Sequence, residues 1–263
     1  MMTVSDLSVV SAEGTRLLDG VSLTLERGDC ICLTGASGSG KSTLIRTVMG
    51  IGGSGLTVAG GDIQLDGKSV LSLSKKDRRE LCGTVFGFIP QNSMTAFFPN
   101  VKVGKQIMET YRTRLYLSKD AALGLARETL TQVNLKDTER VLNAYPGQLS
   151  GGMLQRVAMS MVLGMKPAYI FADEPTSALD KSNRTHLIRL LSAYRDGGIL
   201  FVSHDVGAIR ALCPRTCVME HGRIIEERGT EELFADPRED WTRRFVHAAE
   251  RNTEESERWK QLR

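Results

Sequence analysis

The residues with the clearest chemical potential form one glycine-rich loop at residues 35–42. The loop consists of Gly35, Ala36, Ser37, Gly38, Ser39, Gly40, Lys41 and Ser42, and Thr43 follows directly. It fits the pattern G-x-x-x-x-G-K-S, in which glycines let consecutive backbone N–H groups surround an anion. Its position between an apolar strand and a predicted helix favours phosphate binding over a flexible linker, and we expect residues 35–43 to contact ATP.

Within this loop, two side chains have specific expected partners. Lys41 should reach the β- and γ-phosphates of ATP, and the Ser42 hydroxyl should bind Mg²⁺. Many nucleotide hydrolases share such a loop, so the loop indicates the ligand but not the family.

A second chemical element follows an apolar run at residues 169–172, where Asp173 and Glu174 come in succession. A buried strand that ends in two acids would place both carboxylates at the carboxyl edge of a parallel sheet, beside the phosphate loop. Asp173 is then the expected Mg²⁺ partner, through water, and Glu174 the expected general base for the attacking water. The alternative is a helix-capping pair ahead of Pro175.

The N-terminal elements that must position these residues are mainly strands. Short strands with turns at Glu13-Gly14 and Arg27-Gly28 are predicted for residues 3–27. A compact apolar run predicts a buried strand at residues 30–34, and an apolar side predicts a helix at residues 41–49. Residues 51–61 contain five glycines and are predicted to be a loop, and Asp66-Gly67 marks a hairpin turn after residues 63–65.

The character of the chain becomes mostly helical from about residue 95 to 163. Helices are predicted at residues 103–117 and 121–133, and a third starts at Ser150, which is a good N-cap. Further predicted elements are strands at residues 168–172 and 199–202, a helix at residues 181–194, and a hairpin at residues 217–227 that turns at His221-Gly222. Strands that alternate with helices predict a parallel sheet with crossover connections.

Composition excludes several classes of protein. The chain has 263 residues, 41% hydrophobic and 25% charged, with a net charge of +3, which lacks the dense basic clustering of nucleic-acid binders. No run of 18 apolar residues and no signal-peptide pattern occur, so we expect the protein to stay where it is made.

The charged run at residues 75–79 is expected to be a solvated helix start. The five cysteines, Cys30, Cys32, Cys82, Cys213 and Cys217, lack metal-binding spacing and are expected to be core thiols.

The segment at residues 149–156 (LSGGMLQR) resembles the signature of ABC ATPases, and Ser150 precedes Asp173 by 23 residues (173 − 150). A serine cap followed by Gly151 and Gly152 at a helix N-terminus is a second potential anion site. In that family, this site closes over the ATP bound to a partner subunit. The resemblance therefore implies that two subunits sandwich two nucleotides.

Other motifs of the ABC family follow in the same order along the chain. Gln91 matches the Q-loop glutamine, which senses Mg²⁺ and the attacking water, and Ser177-Ala178-Leu179-Asp180 matches the D-loop. His204 matches the switch histidine that contacts the γ-phosphate. One feature departs from the pattern, because residues 9–11 (VVS) offer no aromatic ring to stack on adenine. The expected alternatives are aliphatic packing of adenine, with Val10 as the candidate, and weak binding of the base.

The resemblance implies a fold class and a domain organisation. The fold expected is α/β, with a P-loop NTPase RecA-like core, an antiparallel β subdomain and a helical ABC insertion. The nucleotide-binding domain would span residues 3–247, with its helical subdomain at about 95–163. A charged C-terminal tail at 248–263 would follow.

Within the family, the chain resembles the branch that imports nickel, dipeptides, oligopeptides and opines. The resemblance lies in residues 90–100 (PQNSMTAFFPN), 145–149 (YPGQL), 234–237 (FADP) and 241–244 (WTRR). It implies a second ATPase subunit, identical or paralogous, two integral membrane permeases, a solute-binding protein and no nucleic acid. The expected location is peripheral, at the cytoplasmic face of the inner membrane. The apolar residues Met94, Phe97 and Phe98 favour residues 92–105 as the permease contact.

Two other interpretations stay open at this point. Some ABC ATPases act in DNA repair, translation or iron–sulfur assembly and move nothing across a membrane. A regulatory nucleotide-binding subunit is the other possibility, although the presence of Ser150, Glu174 and His204 argues against it.

Overall fold

The structure is a computed structural model that describes residues 1–51 and 55–249. The strands are β1 (Met2–Ser11), β2 (Arg16–Leu25), β3 (Cys30–Gly35), β4 (Leu56–Leu65), β5 (Lys68–Ser69), β6 (Phe86–Ile89), β7 (Tyr169–Asp173), β8 (Gly198–Val202), β9 (Arg215–Glu220) and β10 (Arg223–Gly229). The α-helices are α1 (Lys41–Met49), α2 (Lys75–Leu81), α3 (Val103–Leu115), α4 (Lys119–Gln132), α5 (Thr138–Asn143), α6 (Gly151–Met165), α7 (Lys181–Ser192), α8 (Val206–Leu212) and α9 (Thr230–Ala235). Residues 240–249 are also helical, while most of the predicted charged tail, from residue 250, lies outside the described residues.

The chain divides into two compact units, each formed by segments that are distant in sequence. Unit I comprises Leu25–Asp29 and Ser72–Val202, together with Met1. Unit II comprises Met2–Thr24, Cys30–Leu71 and the chain from Ser203 onward. The predicted boundaries, residues 3–247 with a helical part at about 95–163, stay a prediction.

In unit I, strands β6, β7 and β8 run parallel, with β7 between the other two. In β7, residues 169–172 are all buried, as expected for a central parallel strand covered on both faces. Ala172 pairs with Ile89 and Asp173 with Val202, so the ends of all three strands lie at one edge. This edge is where polar residues that follow each strand can meet.

In the helical part of unit I, helices α4, α5 and α6 each begin after a side-chain cap, and the cap at Ser150 was predicted. Ser118, Asp137 and Ser150 each accept a hydrogen bond from the backbone of the first turn that follows them. Helix α3 ends at Leu115, two residues before the predicted end, because Tyr116 adopts a left-handed backbone with φ of 56°. Helix α5 was not predicted, since six residues carry too little periodicity.

Unit II contains an antiparallel sheet in the order β2-β1-β4-β5 and a second set in which β9 pairs with β3 in parallel and with β10 in antiparallel. The predicted hairpin turn is confirmed, because His221 and Gly222 have φ of 47° and 78° between the paired residues Glu220 and Arg223. Two consecutive left-handed residues are typical of the tight turns that match strand twist.

The predicted loop at residues 51–61 is wrong from Leu56 onward, where β4 begins and pairs with β1. Gly60 and Gly61 lie at a β-bulge instead of in a loop, since the register with β1 shifts between Ser5 and Ser8. Gly61 has φ of 80°, and a Cβ there would lie 2.3 Å from the carbonyl oxygen of Asp6. Only glycine allows the β1 backbone to lie this close to β4. A glycine that is required for close packing of strands therefore looks, in the sequence, like a glycine of a loop.

Over residues 1–51 and 55–249, no helix is both long enough and apolar enough to cross a membrane.

Candidate functional site

The phosphate loop of unit II has a backbone that only glycine supports at its key positions. Gly35, Gly38 and Gly40 have φ of 145°, 76° and 107°. A Cβ on Gly35 would lie 1.9 Å from the carbonyl oxygen of Met219, the residue with which Gly35 pairs across β3 and β9. The loop is therefore pressed against its sheet, and its turn toward α1 is set by close backbone packing.

Helix α1 starts directly at the end of this loop, at Lys41. Its N-cap is Gly40, which has no side chain that could occupy the N–H groups of the first turn. Ser37 and Gly38 are exposed while Ser39 is buried, so the loop opens to solvent at its middle. An anion at this opening would meet uncapped amides and the positive end of the helix dipole.

The Lys41 side chain folds back over the loop and is buried, with 8% of its surface exposed. Its ammonium group donates hydrogen bonds to the carbonyl oxygens of Gly35 at 2.7 Å and Ala36 at 2.8 Å. The Ser39 hydroxyl lies 3.3 Å away and accepts a third. This arrangement holds one positive charge inside the loop, where a phosphate group would need it.

His204 also belongs to unit II and follows β8 in the chain. Its Nδ1 lies 3.4 Å from the Oγ1 of Thr34, a buried residue of β3 that precedes Gly35. Its ring packs edge-on against Phe245, with 6.4 Å between ring centroids, and Phe245 in turn stacks on Trp241. The imidazole is exposed and oriented by two neighbours, next to the strand that leads into the phosphate loop.

In unit I, the residues that follow two neighbouring strands come together. Gln91 follows β6 by two residues, and Glu174 follows β7 directly. The Nε2 of Gln91 donates a hydrogen bond of 2.8 Å to the Oε2 of Glu174. An amide donor fixes the orientation of a carboxylate that could accept a proton from water.

Glu174 has an unusual backbone. Its φ is 45°, a left-handed value, although it is not glycine and precedes Pro175. Such a conformation is disfavoured for residues before proline and costs on the order of 1–3 kcal/mol. Its backbone is held by hydrogen bonds on both sides. The Glu174 amide donates to the Val202 carbonyl oxygen at 2.9 Å, and the Glu174 carbonyl oxygen accepts from the Ser177 hydroxyl at 3.0 Å and the Ser177 amide at 3.2 Å. Strain retained in this way is typical of functional positions.

The segment with the ABC signature forms the start of α6 in unit I. The Ser150 hydroxyl accepts a hydrogen bond from the amide of Met153 at 3.2 Å and thus caps the helix. Gly151 is exposed, and a Cβ on it would meet no atom within 4 Å. A Cβ on Gly152 would lie 3.0 Å from the carbonyl oxygen of Ala178. Because Gly152 has no side chain, the N-terminus of α6 can pack closely against the segment at residues 177–180.

That segment ends at Asp180, which caps helix α7. Asp180 accepts hydrogen bonds from the backbone and side chain of Asn183, which lower the pKa of its carboxyl group together with the nearby Arg156 charge. The Nη1 of Arg156 also donates to the carbonyl oxygen of Asn134 at 2.8 Å. Arg156 therefore links the signature helix to the C-terminal end of α4.

Both units contain oxygen donors of the kind that Mg²⁺ prefers. Ser42, in the first turn of α1, offers a hydroxyl, and Asp173, at the end of β7, offers a carboxylate. Gln91 offers an amide oxygen. Hydroxyl, carboxylate and amide oxygens are the hard ligands that Mg²⁺ prefers over nitrogen or sulfur.

The prediction of core thiols is confirmed for three of the five cysteines, whereas Cys30 and Cys82 are half-buried. Cys32, Cys213 and Cys217 are buried, and the sulfur of Cys30 lies 3.4 Å from that of Cys213. The neighbouring thiols and burial raise the pKa of the Cys213 thiol, and burial raises that of Cys217. These thiols are protonated and unsuited to nucleophilic chemistry.

Sequence reasoning missed two residues beside the site. Phe245 contacts His204, and Gln155 lies buried in α6 with a polar side chain. Phe245 carries no sequence signal, because its partner lies 41 residues away (245 − 204). Gln155 does carry one, since it lies three residues before Ala158 and seven before Val162, on a helix face that is otherwise apolar and buried.

Comparison with known proteins agrees with this geometry. A family model described as "ABC transporter" matches residues 18–177. The metal-staphylopine import system ATP-binding protein CntD of Staphylococcus aureus is 34% identical over 247 residues, covering 92% of this chain and 91% of that protein. The oligopeptide transport ATP-binding protein OppD of Bacillus subtilis is 34% identical over 253 residues, covering 92% of this chain and 70% of that protein.

Among solved structures, the ATP-binding cassette MJ0796, a dimer in a post-hydrolysis state bound to ADP and phosphate, superposes with a TM-score of 0.78. The two are 23% identical, and the match covers 88% of this chain and 99% of the cassette. At that identity the likeness shows the fold, which is the predicted P-loop NTPase fold of an ABC ATPase.

Proposed function

The chain belongs to the ABC transporter family as one of its ATPases, and from that membership we propose that it powers an importer of nickel, small peptides or opine-like metal chelates. The observation that carries this proposal is the similarity over about nine-tenths of the chain to both a metal-staphylopine import protein and an oligopeptide transport protein. The family signature in α6 and the phosphate loop are both present within the described residues.

The proposed chemistry is the hydrolysis of ATP to ADP and phosphate. Residues 35–43 bind the phosphates through backbone amides, and the Lys41 ammonium neutralises their charge. Ser42, Asp173 and Gln91 would hold Mg²⁺, which supplies charge neutralisation at the phosphate oxygens. Glu174 takes the proton of the attacking water, since it is the carboxylate that an amide donor orients.

His204 is proposed to contact the γ-phosphate through its imidazole. The contact of its Nδ1 with Thr34 and of its ring with Phe245 supports a fixed orientation for this group. Adenine is proposed to pack on Val10, which is partly exposed on β1. Without an aromatic ring, we expect modest selectivity among purine bases.

The signature residues Ser150, Gly151 and Gly152 are proposed to bind the ATP of a second ATPase subunit, which is a copy of this chain or a paralogue. The exposure of Ser150 and Gly151 at a helix N-terminus supports this role. On this proposal a single subunit holds two incomplete sites, and ATP turnover requires the pair.

The permease contact is proposed to be the groove beside residues 92–105. A cavity of about 500 Å³ lies here, lined by Phe97, Phe98, Val101, Lys105, Gln106 and Met161, among others. Of the three apolar side chains that suggested this contact, Phe97 is buried, whereas Met94 and Phe98 are exposed, Phe98 by 74%. Gln106 holds the segment, donating to the carbonyl oxygen of Val101 at 2.7 Å and accepting from the Phe98 amide at 2.9 Å. An exposed phenylalanine beside a rigid groove fits a short amphipathic helix of a permease.

The proposed assembly is peripheral to the cytoplasmic face of the inner membrane. It contains two permeases, a second ATPase subunit and a solute-binding protein on the opposite side of the membrane, and no nucleic acid. Cargo identity rests with that binding protein and the permeases, since the ATPase would not contact the cargo.

Gentle detergent purification of the tagged full chain from membranes tests this proposal. We expect integral permeases and a second ATPase to co-purify, and Phe98→Ala to reduce their recovery while Tyr116→Ala, another exposed aromatic, does not. Recovery of the chain with assembly or repair proteins and without membrane subunits would favour the alternative, a non-transport ABC ATPase. Thermal shifts of the associated binding protein with Ni²⁺, peptides and opine chelates would then distinguish the cargo classes.

A further inference from the structure

The side chain of Gln155, on the second turn of helix α6, is 1% exposed. Its Nε2 donates a hydrogen bond of 3.1 Å to the carbonyl oxygen of Pro90, and its Oε1 accepts one from the hydroxyl of Ser93. Ser93 is itself buried, in the short helical turn Ser93–Ala96. The Gln155 amide thus donates one hydrogen bond and accepts another, and the two bonds hold Pro90 and Ser93 against α6.

The two points lie on either side of Gln91. Pro90 precedes it directly and Ser93 follows two residues later, so the backbone around Gln91 is attached to α6 at both flanks. From this position the Gln91 amide reaches the carboxylate of Glu174. The contacts form a chain from the signature helix through Gln155 to the Gln91 segment and on to Glu174, all within unit I.

Packing alone does not account for a glutamine here. The neighbouring positions Leu154, Val157 and Met159 of α6 are apolar and buried, and an apolar side chain of similar size would avoid the desolvation of an amide. A buried amide is tolerated when its hydrogen bonds are made, and satisfied buried polar groups specify one arrangement of the elements they join. The Gln155 amide therefore specifies the distance between α6 and the segment that carries Gln91.

We propose that Gln155 is a positioning residue that sets the placement of Gln91 and transmits displacements of the signature helix to it. The inference rests on the proposed role of Gln91 in hydrolysis. Binding of a partner's nucleotide at Ser150 would displace α6, and Gln155 and Gln91 would transmit this displacement to the Glu174 carboxylate without a rearrangement of the sheet.

The first test compares Gln155→Leu with the full-length wild-type protein. Leucine fills the space but makes neither hydrogen bond, so we expect kcat for ATP hydrolysis to fall about 10- to 100-fold, the loss typical of a slightly misplaced group. KM for ATP should change less than about twofold, because the phosphate loop is untouched. Amide hydrogen exchange at residues 90–94 should accelerate, while exchange in β7 stays as in the wild type.

Ser160→Ala is the matched control. Ser160 is buried in the same helix, but its hydroxyl donates to the carbonyl oxygen of Val157 within α6. It should lower thermal stability about as much as Gln155→Leu does while leaving kcat and exchange at residues 90–94 unchanged. An equal fall in kcat for both variants would mean that Gln155 acts through helix stability, which overturns the proposal.

Gln155→Glu supplies a second readout, the pH dependence of kcat, which would not change if Gln155 only stabilised the helix. Burial raises the pKa of a carboxyl group, and only the protonated form can donate to the Pro90 carbonyl oxygen. The kcat of this variant relative to the wild type should therefore rise as the pH is lowered from about 8 to about 6. A ratio that does not depend on pH contradicts the proposed hydrogen bond.

A double-mutant cycle identifies the path. In the Gln91→Ala background, Gln155→Leu should add less than about a twofold further loss, because the residue through which it acts is gone. Full additivity of the two losses overturns the path through Gln91. If Gln91→Ala alone retains wild-type turnover, the proposed role of Gln91 fails instead, and accelerated exchange at residues 90–94 in Gln155→Leu still reports whether the link exists.

Discussion

The Nε2 of Gln91 donates a hydrogen bond of 2.8 Å to the Oε2 of Glu174, although 83 residues separate them in the chain. The contact arises because β6 and β7 are parallel neighbours whose ends lie at one edge of the sheet. A carboxylate held in this way is oriented before any substrate arrives. Reorganisation during the reaction is thereby reduced.

Removal of this contact should slow chemistry more than binding. For Gln91→Ala we expect kcat for ATP hydrolysis to fall about 10- to 100-fold and ATP affinity to change little, since the phosphate loop keeps its contacts. Steady-state kinetics and equilibrium titration with a fluorescent ATP analogue separate the two effects. Gln132→Ala, on the exposed surface of α4, is the control and should match the wild type. A variant that loses affinity and keeps kcat would place Gln91 in binding.

Lys41 should control ATP affinity through its buried ammonium group. Lys41→Ala removes the charge that the carbonyl oxygens of Gly35 and Ala36 hold inside the loop, and we expect affinity for ATP to fall about 100-fold or more. Lys68→Ala removes the same charge from an exposed position on β5 and should leave affinity unchanged. Isothermal titration of both variants checks this. Wild-type affinity in Lys41→Ala would exclude the phosphate role.

Asp173 should control the requirement for magnesium. A chelator should abolish hydrolysis, and Mg²⁺ should restore it. Asp173→Asn keeps the size of the side chain but removes its charge, so we expect the Mg²⁺ concentration for half-maximal activity to rise about tenfold. Activity titrated against Mg²⁺ at saturating ATP measures the shift. An unchanged Mg²⁺ dependence would remove Asp173 from the proposed metal ligands.

Gly35 should be intolerant of any side chain. A Cβ would lie 1.9 Å from the Met219 carbonyl oxygen, so Gly35→Ala must push β3 from β9 and should destabilise the protein by about 3 kcal/mol or more. Gly14 has φ of 83° but open space around it, and Gly14→Ala should cost about 1–2 kcal/mol. Chemical denaturation of both variants tests the difference. Equal losses would show that backbone conformation, and not the contact with Met219, determines the cost.

Much of the site could be predicted from sequence because its signals are local. Helix α1 begins at Lys41 and ends at Met49 as predicted, since a glycine loop precedes a short amphipathic run. The buried strand before it and the serine cap at Ser150 were readable for the same reason. In each case the residues that determine the element lie within one or two turns of each other.

What could not be predicted depends on partners far along the chain. Gly61 belongs to a bulge because the carbonyl oxygen of Asp6 lies against it, and nothing near Gly61 in sequence indicates that contact. The contact of Thr34 with His204 spans 170 residues, and that of Ser93 with Gln155 spans 62. Sequence patterns indicate some of the functional residues. Which residues contact each other depends on how the strands and helices pack together.

The measurement that tests the account most directly is ATP binding and turnover by Glu174→Gln in the assembled complex. Glutamine has the shape of glutamate and can still contact Gln91, but it cannot accept the proton of water. We predict near-normal affinity for ATP and a fall in turnover of about 100-fold or more, while Glu128→Gln, an exposed change on α4, retains both. Normal turnover by Glu174→Gln would contradict its role as the general base.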